Sequence, residues 1–313
     1  MKYLYILIFF VLLCVASFLG YNYILRKYFV VNDTIVYDTF LKHFIQVVSK
    51  DNFFMNYGLW ENEDNDLFTA NTHLAKFIFE KTIKLLPPNK DVSILDVGCG
   101  YGVQDLSWSK LLSEESKITA VDISETQIAS ANETRQQQNI SDKKLCYETC
   151  DAMKLTDKYS AEQFDAVISL ESAFHYSDRP KFFKNVHSVL KNDGVFAISD
   201  IMLNNANGVF NNLFLKIFSD FLHIPKQNLI GINEWKQQLQ KAGFNIVEYN
   251  DITSQTFSPY YKHFIYTYCK KKGLPECIAT VLNNIFQNTQ PFAYSVAMLT
   301  RPPCLLGRHI EKK

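Results

Sequence analysis

The sequence predicts an α/β protein: a seven-stranded, mostly parallel sheet with helices on both faces, preceded by a helical cap. Two observations carry that prediction. From Val92 onward, short apolar runs alternate with stretches whose apolar residues recur at helical spacing, the mark of a parallel sheet wrapped by crossover helices. The first of those runs, Ile94-Leu95-Asp96-Val97, breaks into glycines at alternate positions, Gly98, Gly100 and Gly102. Alternate glycines let a strand turn sharply into a helix and bring peptide N–H groups against a ligand with no Cβ in the way. A nucleotide-like cofactor at that turn is one reading, and a tight strand-to-helix turn is the other.

Composition narrows the partners. With 47% hydrophobic and 20% charged residues, the 313-residue chain can bury a full core. Lys+Arg and Asp+Glu each total 32, so no bulk field draws the chain to nucleic acid, and a small or apolar substrate is expected. The seven cysteines contain no Cys-x-x-Cys and no Cys/His cluster at zinc spacing, so neither a disulfide framework nor a metal site is expected. Nothing in the sequence speaks to oligomeric state.

Taken in order, the chain opens on Tyr3 to Leu25, about 23 residues without a charge, enough at roughly 1.5 Å per residue to span a ~30 Å hydrocarbon core. Tyr3, Tyr5, Tyr21 and Tyr23 fall where interfacial aromatics belong, and Arg26-Lys27 closes the run. Residues 1–27 are therefore expected to be a single-pass membrane anchor with the catalytic domain in the cytosol. A cleaved signal peptide competes, but the run is long and no small-x-small site precedes a polar mature sequence. Residues 28–86 form the expected cap. A helical stripe of Val36, Phe40, Leu41, Phe44, Ile45 and Val48 leads to the aromatic turn Asn56-Tyr57-Gly58-Leu59-Trp60. Asp66 then caps a helix carrying Leu67, Ala70, Leu74, Phe77, Ile78 and Ile83, which Pro87-Pro88 stops.

Residues 87–313 are the expected catalytic domain. Strands are predicted at Val92–Val97, Ile118–Asp122, Leu145–Cys150, Phe164–Leu170, Gly194–Asp200, Phe244–Tyr249 and Phe292–Thr300. Helices are predicted near Val103–Leu112, Ser124–Gln138, Arg179–Leu190, Trp235–Ala242 and Tyr260–Tyr268. Residues 201–231 break the rhythm, being rich in Phe, Leu and Asn with no strand signal, and are expected to form a lid over the ligand-binding edge.

In an open α/β sheet, ligands sit beyond the carboxyl ends of the strands where strand order reverses. Gly98, Gly100 and Gly102 end the first strand, Asp122 ends the second and can accept ribose hydroxyls, and Asp151-Ala152 follow the third and can meet an exocyclic amine. The dinucleotide fingerprint Gly-x-Gly-x-x-Gly fails, because Val103 follows Gly102 and no third glycine stands at the required spacing, and no P-loop Lys-Ser/Thr follows.

The stretch Leu95-Asp96-Val97-Gly98-Cys99-Gly100-Tyr101-Gly102 resembles the first motif of the class I S-adenosylmethionine-dependent methyltransferases. The resemblance runs from about Tyr57 to Thr300 and takes in Ala120-Val121-Asp122-Ile123-Ser124, Asp151-Ala152, Phe164-Asp165-Ala166-Val167-Ile168-Ser169 and Leu190-Lys191-Asn192-Asp193-Gly194. It implies a Rossmann-like fold and S-adenosyl-L-methionine as cofactor. Asp96 and the glycines would then face its methionine part, Asp122 with Ile123 the ribose region, and Asp151 with Ala152 the adenine. The segment Glu171-Ser172-Ala173-Phe174-His175-Tyr176-Ser177-Asp178-Arg179, with Tyr57-Gly58-Leu59-Trp60 and Glu234-Trp235, is similar to the branch acting on sugars, natural products, sterols and quinones. That likeness implies His175 as general base with Asp200 beside it, a pairing suited to taking a proton from an alcohol near neutral pH. Alignment alone can also carry much of a sulfonium methyl transfer, leaving His175 as a pocket wall. Tyr57, Glu171, Tyr176 and His223 are the expected substrate-pocket residues.

No Asn/Asp-Pro-Pro-Tyr/Phe follows the fourth strand, where Ser169-Leu170-Glu171-Ser172 stands instead, so nucleic acid and protein amides lose weight as acceptors. The expected activity is transfer of a methyl group to a small, lipid-like or hydroxylated acceptor at a membrane, with oxygen favoured. The alternatives are a non-catalytic scaffold of the same fold and an NAD-dependent oxidoreductase.

Overall fold

The computed structural model of the protein describes residues 53–61, 66–88, 90–204, 215, 219, 222–271, 273, 275–289 and 291–302. All of these lie in one compact unit, Ile45–Lys313. The expected membrane anchor, residues 1–27, lies outside the described residues, as does the cap up to residue 52. Among the described residues no helix is long and apolar enough to cross a membrane.

Helix α1 (Leu67–Leu85) starts where Asp66 accepts the Thr69 N–H at 2.9 Å, which satisfies one of the orphan donors of the first turn. Its buried stripe of Leu67, Ala70, Leu74, Ala75, Ile78 and Phe79 faces the sheet layer, as the helical spacing requires. Then β1 (Ser93–Val97), α2 (Val103–Ser109), β2 (Lys117–Asp122), α3 (Glu125–Gln137), β3 (Leu145–Thr149), α4 (Leu155–Lys158), β4 (Phe164–Leu170), α5 (Arg179–Val189) and β5 (Leu190–Leu203) alternate along the chain. The remainder is α6 (Ile232–Lys241), β6 (Asn245–Asp251), α7 (Thr253–Lys271), α8 (Glu276–Thr289) and β7 (Phe292–Thr300).

The sheet has seven strands in the order β3-β2-β1-β4-β5-β7-β6. Strands β1 to β5 pair in parallel, and β7 runs antiparallel between β5 and β6. All of β4 is buried and β1 is buried from Ile94 onward, because both lie between neighbours with helices on both faces. Strand order reverses between β1 and β4, so the crevice at their carboxyl ends is the place for a ligand.

Three expectations need correction. Strand β5 does not stop at Asp200; it runs to Leu203, because β7 pairs with it continuously from Val195↔Thr300 to Leu203↔Phe292. The interruption expected over 201–231 therefore begins after Asn204, and most of its middle lies outside the described residues. Helix α8 has no counterpart in the predicted elements. The Tyr-rich helix expected near Tyr260–Tyr268 is far longer, Thr253–Lys271, and takes Pro259 within its span.

Candidate active site

The turn after β1 is locked to its neighbour before any ligand is considered. The Gly98 and Cys99 N–H groups both donate to Val121 O, at 2.7 and 3.0 Å, and all three glycines have left-handed φ, +83°, +58° and +70°. Side chains would be strained there, and two of the positions are closed by the protein itself. A Cβ on Gly98 would stand 2.3 Å from the Ser172 Cβ, and one on Gly102 would stand 2.3 Å from the Tyr147 ring. Gly102 is thus required by packing against β3, where the Tyr147 hydroxyl donates to Gly102 O at 2.5 Å. Gly100 sits under Met55, whose Sδ would be 2.9 Å from an added Cβ, while Phe53 packs on Tyr101 with ring centroids 5.2 Å apart.

Asp122 bridges β2 to this turn. Its Oδ2 accepts the Gly100 N–H at 3.0 Å and its Oδ1 the Ser124 N–H at 2.9 Å. A carboxylate has about four acceptor positions, so both oxygens keep capacity for ligand hydroxyls. Beside it Ile123 is 57% exposed, a large apolar side chain left at the rim where a flat heterocycle would cover it. Asp151 accepts the Met153 N–H through Oδ1 at 2.8 Å and so starts the short turn Ala152–Lys154. Ala152 is buried in the core with its carbonyl held by Asn185, so it supports Asp151 from behind.

Asp96 is fully buried behind the turn. Its Oδ2 accepts from Gln104 Nε2 at 3.0 Å, and Gln104 also donates to Cys99 O at 3.1 Å. Burial pushes the Asp96 carboxyl up to about 7. Asp105, also fully buried, faces it and is pushed well above the usual carboxylate range by burial and by Asp96. Asp96, expected to face the methionine part of the cofactor, is fully buried behind the turn, and Asp105 and Gln104 join it from a helix that sequence reading assigns by its apolar spacing.

At the end of β4 the backbone of Glu171 takes φ +53°, unusual for a residue with a Cβ and a mark of constraint at a site. Its N–H donates to Ser199 Oγ at 2.9 Å. Its Oε1 accepts two donors, the Tyr57 N–H at 2.8 Å and the Tyr294 hydroxyl at 2.6 Å, and among the described residues no donor is bonded to Oε2. Burial pushes this carboxyl up to about 8, with the two donors opposing. Tyr57 lies edge-on to Tyr260, Phe257 and Tyr294, with centroids 4.7, 5.2 and 6.5 Å away, which makes an aromatic wall beside the acid. The structure thus joins two of the expected pocket residues, Tyr57 and Glu171, through a backbone hydrogen bond. It adds Tyr294, which the sequence offered only as one more apolar position in the last strand.

His175 and His223 also come together: His175 Nδ1 is 3.5 Å from His223 O, and the ring packs on Phe174 at 4.1 Å. Burial lowers the His175 imidazole to about 4, which leaves a neutral, weakly basic ring at neutral pH. Asp200 is not its partner. Asp200 Oδ2 accepts from Arg179 Nη1 at 3.0 Å and Trp235 Nε1 at 2.7 Å, and Oδ1 accepts the Ile201 N–H at 2.9 Å. The expected His175–Asp200 pair is therefore corrected: β5 continues past Asp200 and turns its carboxylate into a wholly buried ion pair with α5. Tyr176 stands at the glycine turn beside Gly98, its hydroxyl donating to Ser172 Oγ at 2.9 Å.

Two zones result. One, at the ends of β1, β2 and β3, offers a turn of glycines, two acids and an exposed isoleucine, which fits an amino-acid-bearing adenosine. The other, at the end of β4, holds a buried acid among aromatic rings.

Comparison with known proteins agrees. Residues 88–243 match the family model described as a methyltransferase domain. The chain is 31% identical over 217 residues to erythromycin 3''-O-methyltransferase of Saccharopolyspora erythraea, covering 68% of each chain. Among solved structures it resembles the [4+2]-cyclase SpnF, with a TM-score of 0.66 at 19% identity over 86% of this chain and 95% of that one. It also resembles the geranyl diphosphate C-methyltransferase of Streptomyces coelicolor A3(2), solved with Mg2+, geranyl diphosphate and S-adenosyl-L-homocysteine. That likeness has a TM-score of 0.63 at 16% identity and covers 82% of this chain and 93% of that one. On that family match and the 31% identity over two-thirds of both chains, the chain belongs to the class I S-adenosylmethionine-dependent methyltransferases.

Proposed function

We propose that this protein methylates a hydroxyl group of a small, largely apolar acceptor, with Glu171 as the general base and the apolar run Tyr3–Leu25 holding the enzyme at a membrane. The observation that carries the reading is the Glu171 carboxyl: buried, backbone-constrained, tied by two donors on Oε1 and, among the described residues, given none on Oε2. S-adenosylmethionine, when bound, supplies an electrophilic methyl group on a sulfonium. Attack by an alcohol oxygen requires loss of its proton, and the Glu171 Oε2 is the acceptor the site offers. The Tyr57 N–H and the Tyr294 hydroxyl hold the ionised carboxylate in one orientation while Oε2 takes the proton. His175, neutral because it is buried, lines the same edge without competing for the proton. The aromatic wall of Tyr57, Phe257 and Tyr260 suits an apolar acceptor body. The O-methyltransferase named among the relatives supports oxygen as the acceptor atom.

The test is incubation of membranes carrying the full chain with methyl-labelled S-adenosylmethionine, followed by separation of lipid, metabolite, protein and nucleic acid fractions. Label in the lipid or small-metabolite fraction, lost in Glu171→Gln, is the expected result. Label confined to protein or nucleic acid would overturn it, and absence of label from every fraction would favour the scaffold reading. Release of the protein from membranes by salt alone would refute the anchor.

A further inference from the structure

Asp96 and Asp105 present an arrangement that packing does not require. Both are fully buried, and among the described residues no hydrogen-bond donor stands within bonding distance of Asp96 Oδ1 or of either Asp105 oxygen. The two carboxyls interact with each other, so a hydrogen bond exists between them only when one of them carries a proton. Among the described residues the side-chain donor to the pair is Gln104 Nε2, which already serves Asp96 Oδ2, and the Val97 backbone N–H also favours the Asp96 carboxylate. An apolar side chain at position 105 would satisfy the same packing without burying a carboxyl.

Among the described residues, no lysine, arginine or histidine acts on either carboxyl. Asp122 at the end of β2 adds a third carboxylate near Asp96. Cys99 from the turn, Tyr147 from β3 and Tyr176 from the segment after β4 complete the polar shell, and burial raises all three, so each stays neutral. From the outer side α1 packs on α2 through Phe79 stacked on Trp108, whose Nε1 donates to Ala75 O. Two buried carboxyls that meet only neutral donors among the described residues hold a proton between them.

The cofactor brings the missing positive charge. Its methionine part carries an α-ammonium, and Asp96 stands behind the glycine turn that would receive that part. We infer that Asp105 is a cofactor-recognition residue: it shares one proton with Asp96 in the free protein, and the pair releases that proton to solvent when the α-ammonium of the cofactor arrives. Binding then favours the ionised pair, so affinity rises with pH while the free pair is protonated and levels off once it is not. The midpoint lies near the value of about 7 to which Asp96 is raised. Below it the dissociation constant falls by up to roughly tenfold per pH unit.

The experiment is titration calorimetry of the full chain with S-adenosylhomocysteine at pH 6, in buffers of different ionisation enthalpy. At that pH the ligand's own amine, with an ordinary value of roughly 8, is already protonated and contributes no proton. The buffer dependence should report release of about half a proton or more per cofactor bound. 5′-Methylthioadenosine, which keeps the adenosine and lacks the ammonium, should release none. In Asp105→Asn the amide donates to Asp96 permanently, so release should vanish and the pH 6 affinity should equal or exceed that of the wild type. A buffer-independent enthalpy for the wild type, equal release with 5′-methylthioadenosine, or unchanged release in Asp105→Asn would each overturn the inference. If Asp105→Asn does not fold, the two ligands on the wild-type protein decide it. The acceptor and Glu171 play no part in this measurement, so its failure would leave the proposed function untouched.

Discussion

Replacing Glu171 by glutamine should stabilise the protein at alkaline pH while abolishing turnover. Burial raises the Glu171 carboxyl from 4.5 to about 8, so the folded state holds a proton there that the unfolded chain loses above its ordinary value. The sign follows from linkage: the stabilising effect of the neutral acid is fully present below about 4.5, declines as pH rises, and is gone above about 8. At roughly 1.4 kcal/mol per pH unit, ionising this site in place costs about 4 to 5 kcal/mol as an upper figure. Glutamine keeps the acceptor for the Tyr57 N–H and the Tyr294 hydroxyl and never ionises. The variant should therefore match the wild type at pH 5 and exceed it at pH 8 by at least about 2 kcal/mol, an increase of roughly 4–8 °C in Tm for a domain of this size. Thermal unfolding of both proteins at pH 5, 6, 7 and 8 measures this. A difference that does not change with pH would show that the carboxyl is ionised in the folded state, and the assignment of Glu171 as a buried neutral acid would be wrong.

Three further outcomes follow from the same geometry. Asp122→Ala removes the acceptor for the Gly100 N–H and for ligand hydroxyls, and should weaken S-adenosylhomocysteine binding at least about tenfold by calorimetry; unchanged affinity would remove Asp122 from the site. Gly102→Ala combines φ +70° with a Cβ 2.3 Å from the Tyr147 ring and should cost about 2 kcal/mol or more; adding Tyr147→Leu should recover only part of the loss in Tm, because the backbone strain remains. Asp200→Ala leaves Arg179 buried and unpaired, and should cost about 3–5 kcal/mol of stability; a variant that keeps its Tm and loses only turnover would restore Asp200 to catalysis.

How much of this was legible depended on whether a residue's role was local. The seven strands could be read because burial between neighbouring strands and flanking helices forces continuous apolar runs, and the glycine turn because left-handed backbone selects glycine within a few residues of sequence. The ends were harder. Strand β5 reaches Leu203 only because β7, about a hundred residues later, lies beside it, and no local pattern records that partner. Tyr294 and Glu171 are 123 residues apart in sequence, and Tyr57 and Glu171 are 114 apart. Their meeting is a product of sheet order. Asp105 was overlooked for a different reason: a helix read for apolar periodicity treats an acid as its solvent face, whereas here the face turned inward carries the carboxyl.

The same distinction separates the two acids at the ends of adjacent strands, β4 and β5. Asp200 and Glu171 are both buried and both raised by desolvation, so burial alone ranks them equally. Their partners do not. Asp200 has a guanidinium, an indole N–H and a backbone N–H, leaving its charge matched and its oxygens committed. Such a pair fixes β5 to α5 and α6, and it gains nothing by exchanging a proton. Glu171 has two donors on one oxygen, both formally neutral, and a second oxygen with none among the described residues. Its charge is unmatched until a cation is brought near, and the methyl donor of this family is a sulfonium. An acid that becomes basic only when the electrophile is in place is suited to deprotonating an acceptor at the moment of transfer, and a histidine whose basicity burial has removed is not.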